Sequence, residues 1–249
     1  VSALAADLAR ALDPVALAGE IGMVPDAWQA AVLRSSASRV LLNCSRQSGK
    51  TTTAALLALH VALYEPGALV LVLSASERQA RELFRVALVA YRVLSRPVPS
   101  EAENRLSLEL ENGSRIIVVP ATAPTIRGYA AVRLLIVDEG AQVPDELYAT
   151  VRPMLAVSGG RIVAMSTPFG RRGWWFEAWR GDERWERYEV PASDCPRISA
   201  AFLAEERETV GEWFYRQEYQ CEFLDGQGAA FREEDIERMF AEEVAPWTL

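Results

Sequence analysis

Arg39-Val-Leu-Leu-Asn-Cys-Ser-Arg-Gln-Ser-Gly-Lys-Thr51 fixes the reading of everything around it. Arg39–Cys44 is a short apolar run of the kind that forms a buried strand. Ser45–Gly49 is a turn of small and polar residues, and Lys50–Tyr64 is a helix rich in Ala and Leu. The turn fits G-x-x-x-x-G-K-[ST] except at its first position, where Cys44 stands in place of Gly. A strand–turn–helix of this kind aims backbone N–H groups at phosphate oxygens, and the helix N-terminus adds a positive dipole. Lys50 suits the β and γ phosphates of ATP, and the Thr51 hydroxyl suits Mg²⁺. Ser45, Arg46, Gln47, Ser48, Gly49 and Thr52 complete the cradle. Arg46 is an extra cation that could hold the γ-phosphate or sense its loss; an arginine in a surface loop fits the residue equally well.

Working outward, buried strands alternate with helices. Ala68–Ser74, Leu134–Asp138 and Arg161–Ser166 are further apolar runs, and Glu77–Leu94 is a helix. Arg105–Leu110 and Arg115–Val119 flank Asn112-Gly113, a hairpin signal. Upstream, Leu4, Leu8, Leu12 and Val15 recur near helical spacing, which predicts one amphipathic helix over Val1–Ile21. The pattern predicts an α/β fold, a P-loop NTPase with a largely parallel central sheet flanked by helices. Beyond Pro168 the texture changes: glycines and tryptophans precede one strand-like piece, Trp185–Val190, and helices at about Ala200–Thr209 and Glu212–Tyr219. The expected division is an ATPase core over 1–169, a smaller subdomain over 170–231 and an acidic tail over 232–249.

Two acids end the third apolar run. Asp138, at the C-terminal end of a parallel strand, would lie beside the phosphate loop and support Mg²⁺. Glu139 would orient or deprotonate the attacking water, a group that phosphate transfer to another acceptor would not need. Three other segments carry candidates. Trp28-Gln29 precedes the first strand: the Gln29 amide suits adenine and Trp28 could pack on the base, although Trp28 equally suits the core and Asp26 a helix cap. Ser166-Thr167-Pro168 ends a strand at the nucleotide end of the sheet, where the hydroxyls could register hydrolysis or simply cap the strand. Arg127 precedes the Asp138 strand; its guanidinium fork suits the charge of a transferring phosphoryl group, from the same or a neighbouring subunit, with Arg133 as a rival.

Composition narrows the chemistry. Of 26 basic residues, Lys50 is the only lysine, and His60 is the only histidine, so a His₃ metal site is excluded. Cys44, Cys195 and Cys221 are too few and too scattered for a disulfide framework or a zinc pattern, and they suit a reducing cytoplasm. No apolar run reaches the length of a membrane span, and no secretory signal is visible, so no membrane partner is expected. The formal net charge of −8 is uneven: residues 1–169 carry 16 basic and 15 acidic residues, and residues 170–249 carry 10 and 19. This acidity argues against a general nucleic-acid coat but leaves room for local arginine contacts.

Taken in order, Trp28-Gln29, Ser-Arg-Gln-Ser-Gly-Lys-Thr51, Ile126-Arg127-Gly128, Asp138-Glu139 and Ser166-Thr-Pro168 resemble the ATPase domain of the large terminase subunit, the motor that packages DNA into tailed-phage capsids. Gly170-Arg-Arg-Gly-Trp-Trp-Phe-Glu-Ala-Trp179 and Gln217-Glu-Tyr-Gln-Cys-Glu-Phe223 are also similar to that family. The resemblance spans roughly residues 24–231. It implies an ASCE (RecA-like) ATPase with a small lid, acting in the host cytoplasm on double-stranded DNA. Its implied partners are a ring of identical subunits, pentameric by analogy, a capsid portal and a small terminase subunit. By the same resemblance Lys50 and Thr51 serve the phosphates and Mg²⁺, Asp138 the metal and Glu139 the water. Ser166 and Thr167 would couple hydrolysis to movement, and Arg127 would be the arginine finger. The family continues into a nuclease domain, whereas this sequence stops at Leu249, so no nuclease activity is expected of it. Two alternatives compete: a superfamily 2-like helicase, which needs a second RecA-like domain, and a non-hydrolysing assembly module, which does not need Glu139.

Overall fold

The computed structural model describes residues 3–120, 126, 128–181 and 184–225. Three helices, α1 (Ala3–Leu12), α2 (Pro14–Glu20) and α3 (Ala27–Arg34), precede β1 (Arg39–Cys44) and α4 (Lys50–Tyr64). Then follow β2 (Leu69–Ser74), α5 (Glu77–Val93), β3 (Ser100–Glu103), β4 (Ser107–Leu110), β5 (Arg115–Pro120) and β6 (Val132–Asp138). The remainder is α6 (Asp145–Val151), β7 (Arg161–Ser166), α7 (Gly173–Arg180), β8 (Glu186–Val190), α8 (Ala200–Val210) and α9 (Glu212–Gln220).

The strands form one sheet in the order β3-β4-β5-β2-β6-β7-β1-β8. Pairing is parallel throughout β5-β2-β6-β7-β1-β8 and antiparallel only at β3-β4-β5. Side chains alternate across each strand, so the apolar runs supply both faces. Val40, Leu42, Val70, Val72, Leu134 and Ile136 join the core beneath α4 and α5. Leu41, Leu71, Leu73, Leu135 and Val137 join a second core with Trp174, Trp175 and Trp185. The expected α/β class is therefore the observed one. Asn112-Gly113 makes its turn, with Gly113 at φ +80°.

Two expectations change. The N-terminal segment is two helices, because Pro14 has no N–H to continue α1 and Asp13 caps α2 by accepting from the Val15 N–H at 3.0 Å. Leu4, Leu8 and Leu12 then lie outward, 78, 57 and 77 % exposed, rather than in the core. The strand expected in the 170–231 subdomain is β8, which pairs in parallel with β1 at the sheet edge, and α7 packs on the second core. A separate small cluster begins only at Ala192, with Tyr215 and Tyr219 at its centre. The tail over 232–249 lies outside the described residues.

Candidate nucleotide site

The phosphate loop leaves β1 at Cys44 and closes at Gly49, whose φ of +96° is open to glycine and strained for other residues. A Cβ at Gly49 would lie 2.7 Å from the Gln29 Nε2, so the position is closed sterically as well. Within the loop the Ser48 hydroxyl donates to the Ser45 carbonyl at 2.9 Å, and Gln47 takes φ 60°. Lys50, Thr51 and Thr52 open α4 at the rim of a cleft of about 500 Å³. Arg46, Gln47, Ser48 and Gly49 complete the near wall, and Glu139, Gln142 and Thr167 stand opposite. Gln79, Glu82 and Val86 of α5 form a third wall that nothing in the sequence signalled.

Lys50 is largely buried, and its Nζ lies 3.5 Å from Glu139 Oε1. Glu139 takes φ 51°, a left-handed conformation that turns its side chain off the end of β6. The Ser166 hydroxyl donates to Glu139 Oε2 at 3.5 Å, and Thr167 lines the cleft itself. Asp138 is buried behind Glu139 and accepts the Glu139 N–H at 3.0 Å. Burial, and then the Glu139 charge, push the Asp138 carboxyl up to about 7, against the pull of Lys50. Beside it in register is Ser74, whose buried hydroxyl has no hydrogen-bond partner among the described residues. Thr51, Asp138 and Ser74 are all hard oxygen donors, which suits Mg²⁺. No trio of His, Cys, Asp or Glu side chains among the described residues forms a metal cage. A cation here would have to share its coordination with phosphate and water.

The remaining candidates are placed differently from one another. Gln29 is buried; its Oε1 accepts the Asp26 N–H at 2.8 Å and its Nε2 donates to the Gly49 carbonyl at 3.5 Å. Trp28 packs partly buried against the first core, and neither residue is among those lining the cleft. In this structure Gln29 braces the phosphate loop through the Gly49 carbonyl, and Trp28 packs against the core. Arg133 pairs with Glu65 at the opposite end of β6 from Asp138. Arg127 lies outside the described residues. Ser45 is buried, and its N–H donates to the Val190 carbonyl at 2.9 Å. The three cysteines, distant in sequence, converge beneath the loop: Cys44 pairs in register with Val190, Cys221 Sγ donates to the Val190 carbonyl at 3.4 Å, and Cys195 Sγ to the Pro191 carbonyl at 3.7 Å.

This arrangement matches a known family. The profile of the terminase large subunit, T4-like-virus type, N-terminal, covers residues 41–238. The chain belongs to this family. Among curated relatives it is 25 % identical to the terminase large subunit of Thermus phage G20c, over 85 % of this chain and 51 % of that protein. The terminase large subunit of Thermus virus P23-45 is 24 % identical over the same shares. The chain thus spans about half the length of the curated relatives it matches. The ATPase domain of the Thermus phage P74-26 large terminase has the same fold, with a TM-score of 0.74 at 24 % identity, covering 83 % of this chain and 97 % of that one. The large terminase of a thermophilic bacteriophage, in complex with ADP, gives 0.64 at 12 % identity, covering 80 % and 54 %. No helix among the described residues is long and apolar enough to cross a membrane.

Proposed function

We propose that this chain binds ATP with Mg²⁺ and hydrolyses it, and that the hydrolysis drives double-stranded viral DNA into a capsid. The observation that carries the reading is the Lys50–Glu139 pair at 3.5 Å across the floor of the phosphate-loop cleft. An ATP γ-phosphate entering the cleft competes with Glu139 for the Lys50 ammonium. Glu139 is then released to orient a water and take its proton as the oxygen attacks phosphorus. Backbone N–H groups of the loop and the α4 N-terminus hold the other phosphates. Thr51 and Asp138 would hold Mg²⁺, which when bound neutralises charge on the phosphates. The Ser166 hydroxyl on Glu139 links the general base to β7, the route by which Ser166 and Thr167 would register hydrolysis. The ADP complex of the thermophilic phage terminase and the P74-26 ATPase domain support nucleotide chemistry on this fold.

The same reading takes the active form to be a ring of identical subunits on a capsid portal, working with a small terminase subunit in the host cytoplasm. Arg127 would act as the finger. Steady-state ATP hydrolysis by Lys50→Ala and Glu139→Ala tests the site: parent-like turnover in Glu139→Ala overturns it. For the finger, Arg127→Ala should lose about 10³-fold or more in kcat. Mixing it with Glu139→Ala subunits should restore part of the activity if the finger reaches a neighbour.

A further inference from the structure

At the C-terminal ends of the central strands one row of side chains changes character midway. Ser74 closes β2, Asp138 closes β6, and the two are partners in register. Asp138 pairs on its other side with Met165 of β7, and Met165 with Leu42 of β1. Side chains two apart along a strand share a face. These four therefore emerge on the face that carries Val70, Val72, Leu134 and Ile136, beneath α4 and α5. Lys50 and Thr51 open α4 on the same side.

Ser74 is costly where it stands. It follows five apolar residues, Leu69 to Leu73, and is 0 % exposed. Its hydroxyl has no hydrogen-bond partner among the described residues. A buried hydroxyl without a partner destabilises a fold, and alanine, nearly the same size, would avoid the loss. Met165 and Leu42 meet the packing needs of this row with apolar side chains. Asp138 is the polar side chain beside Ser74, and it spends Oδ1 on the Glu139 N–H at 3.0 Å. Neighbouring strands run about 4.8 Å apart, so both side chains can reach one water. Mg²⁺ keeps several of its waters when it binds, and the groups that hold those waters orient the ion.

We propose that Ser74 is a positioning residue for the Mg²⁺ of the bound nucleotide: its hydroxyl and the Asp138 carboxylate together hold one water of the ion's hydration shell. This rests on the ATP reading above and deepens it. Asp138 supplies the charge, and Ser74 supplies the second point that fixes where the water sits. The end of β2 thereby joins the phosphate loop and β6 in placing the metal.

The test uses the full chain as parent, Ser74→Ala, Asp138→Asn and the double variant. Affinity for ATPγS is measured by displacement of a fluorescent nucleotide, in EDTA and across a titration of free Mg²⁺. Binding to the parent should tighten with Mg²⁺, and Ser74→Ala should need about fivefold or more Mg²⁺ for half of that effect. In EDTA the two should bind ATPγS within about twofold of each other. The double variant should need Mg²⁺ within about twofold of Asp138→Asn, because the two groups hold one water. Without nucleotide or metal, Ser74→Ala should melt at or above the parent, since it removes an unpaired buried hydroxyl. An unchanged Mg²⁺ requirement in Ser74→Ala overturns the proposal; a lowered nucleotide-free melting temperature beside it assigns the hydroxyl to a structural water. Equal weakening in EDTA, multiplying losses in the double variant, or a parent indifferent to Mg²⁺ also overturns it. Turnover in the same proteins keeps the two readings apart. A parent that binds ATPγS with Mg²⁺ but does not hydrolyse ATP defeats the hydrolysis reading, while the Mg²⁺ titrations still decide the role of Ser74.

Discussion

Lys50 with Glu139, and Arg133 with Glu65, are pairs of the same kind at opposite ends of one sheet. The first lies at the C-terminal end of β6, with side chains 11 and 15 % exposed; the second lies at its start, with side chains 41 and 38 % exposed. Asp138 lies five positions beyond Arg133 along β6, about 16 Å of extended chain. The outer pair sits in solvent and closes a strand end. In the inner pair Glu139 sits on left-handed backbone beside a buried acid, and Lys50 follows a glycine turn. Identical charges thus give a surface contact at one end and a poised, partly desolvated site at the other. The difference comes from what surrounds them, not from the pairs themselves.

That contrast can be broken at several points. The largest effect is expected from Glu139→Gln, which keeps shape and removes the base: kcat should fall by about 10²–10⁴-fold with ATP affinity retained, measured in steady state beside equilibrium binding. The next concerns Asp138. Its carboxyl is raised from an ordinary 3.8 to about 7 in the fold, so the folded chain holds the proton more tightly between those values. Nucleotide-free stability should therefore be complete below about pH 4 and decline as pH rises to about 7, by a few kcal/mol. Asp138→Asn should flatten that slope in melting curves across pH. Mg²⁺-dependent nucleotide binding should run the other way and strengthen as pH rises through 7.

Smaller effects sharpen the comparison. Gly49→Ala must adopt φ +96° with a Cβ 2.7 Å from Gln29, and it should lose about 1–3 kcal/mol in denaturant unfolding along with nucleotide binding. Arg133→Gln should change stability by less than about 1 kcal/mol and leave kcat within twofold. A large loss of kcat in Arg133→Gln would mean that the outer end of the sheet meets a neighbouring subunit's cleft.

What was legible in the sequence was local. Val40–Leu42 and Leu134–Val137 are short apolar runs of the kind a doubly covered parallel strand needs, and each leads into functional residues. The turn before Lys50 announced itself by composition. What was not legible was either competition between signals or long-range contact. Asp26-x-x-Gln29 is a helix-capping pattern as well as a plausible base reader, and in this structure the Gln29 amide bonds to Asp26 and Gly49. Asp13-Pro14 marked a helix break that the regular leucine spacing concealed. Trp185–Val190 reads as a strand, but no local feature says that it pairs with β1. Gln79, Glu82 and Glu218 belong to ordinary amphipathic helices until the fold brings them to the loop.

The floor of three thiols beneath the phosphate loop has a practical consequence. Cys44, Cys195 and Cys221 are the only cysteines of the chain, and all three are buried and free. Burial pushes the Cys44 thiol up to about 12, and raises Cys195 and Cys221 as well. Thiol-directed dyes attack the exposed thiolate, so none of the three competes for label while the fold is intact. A cysteine introduced on the outer face of α8 or α9 would be the sole reactive handle without removing any native cysteine. The native protein is in this respect already a background for single-site spectroscopy.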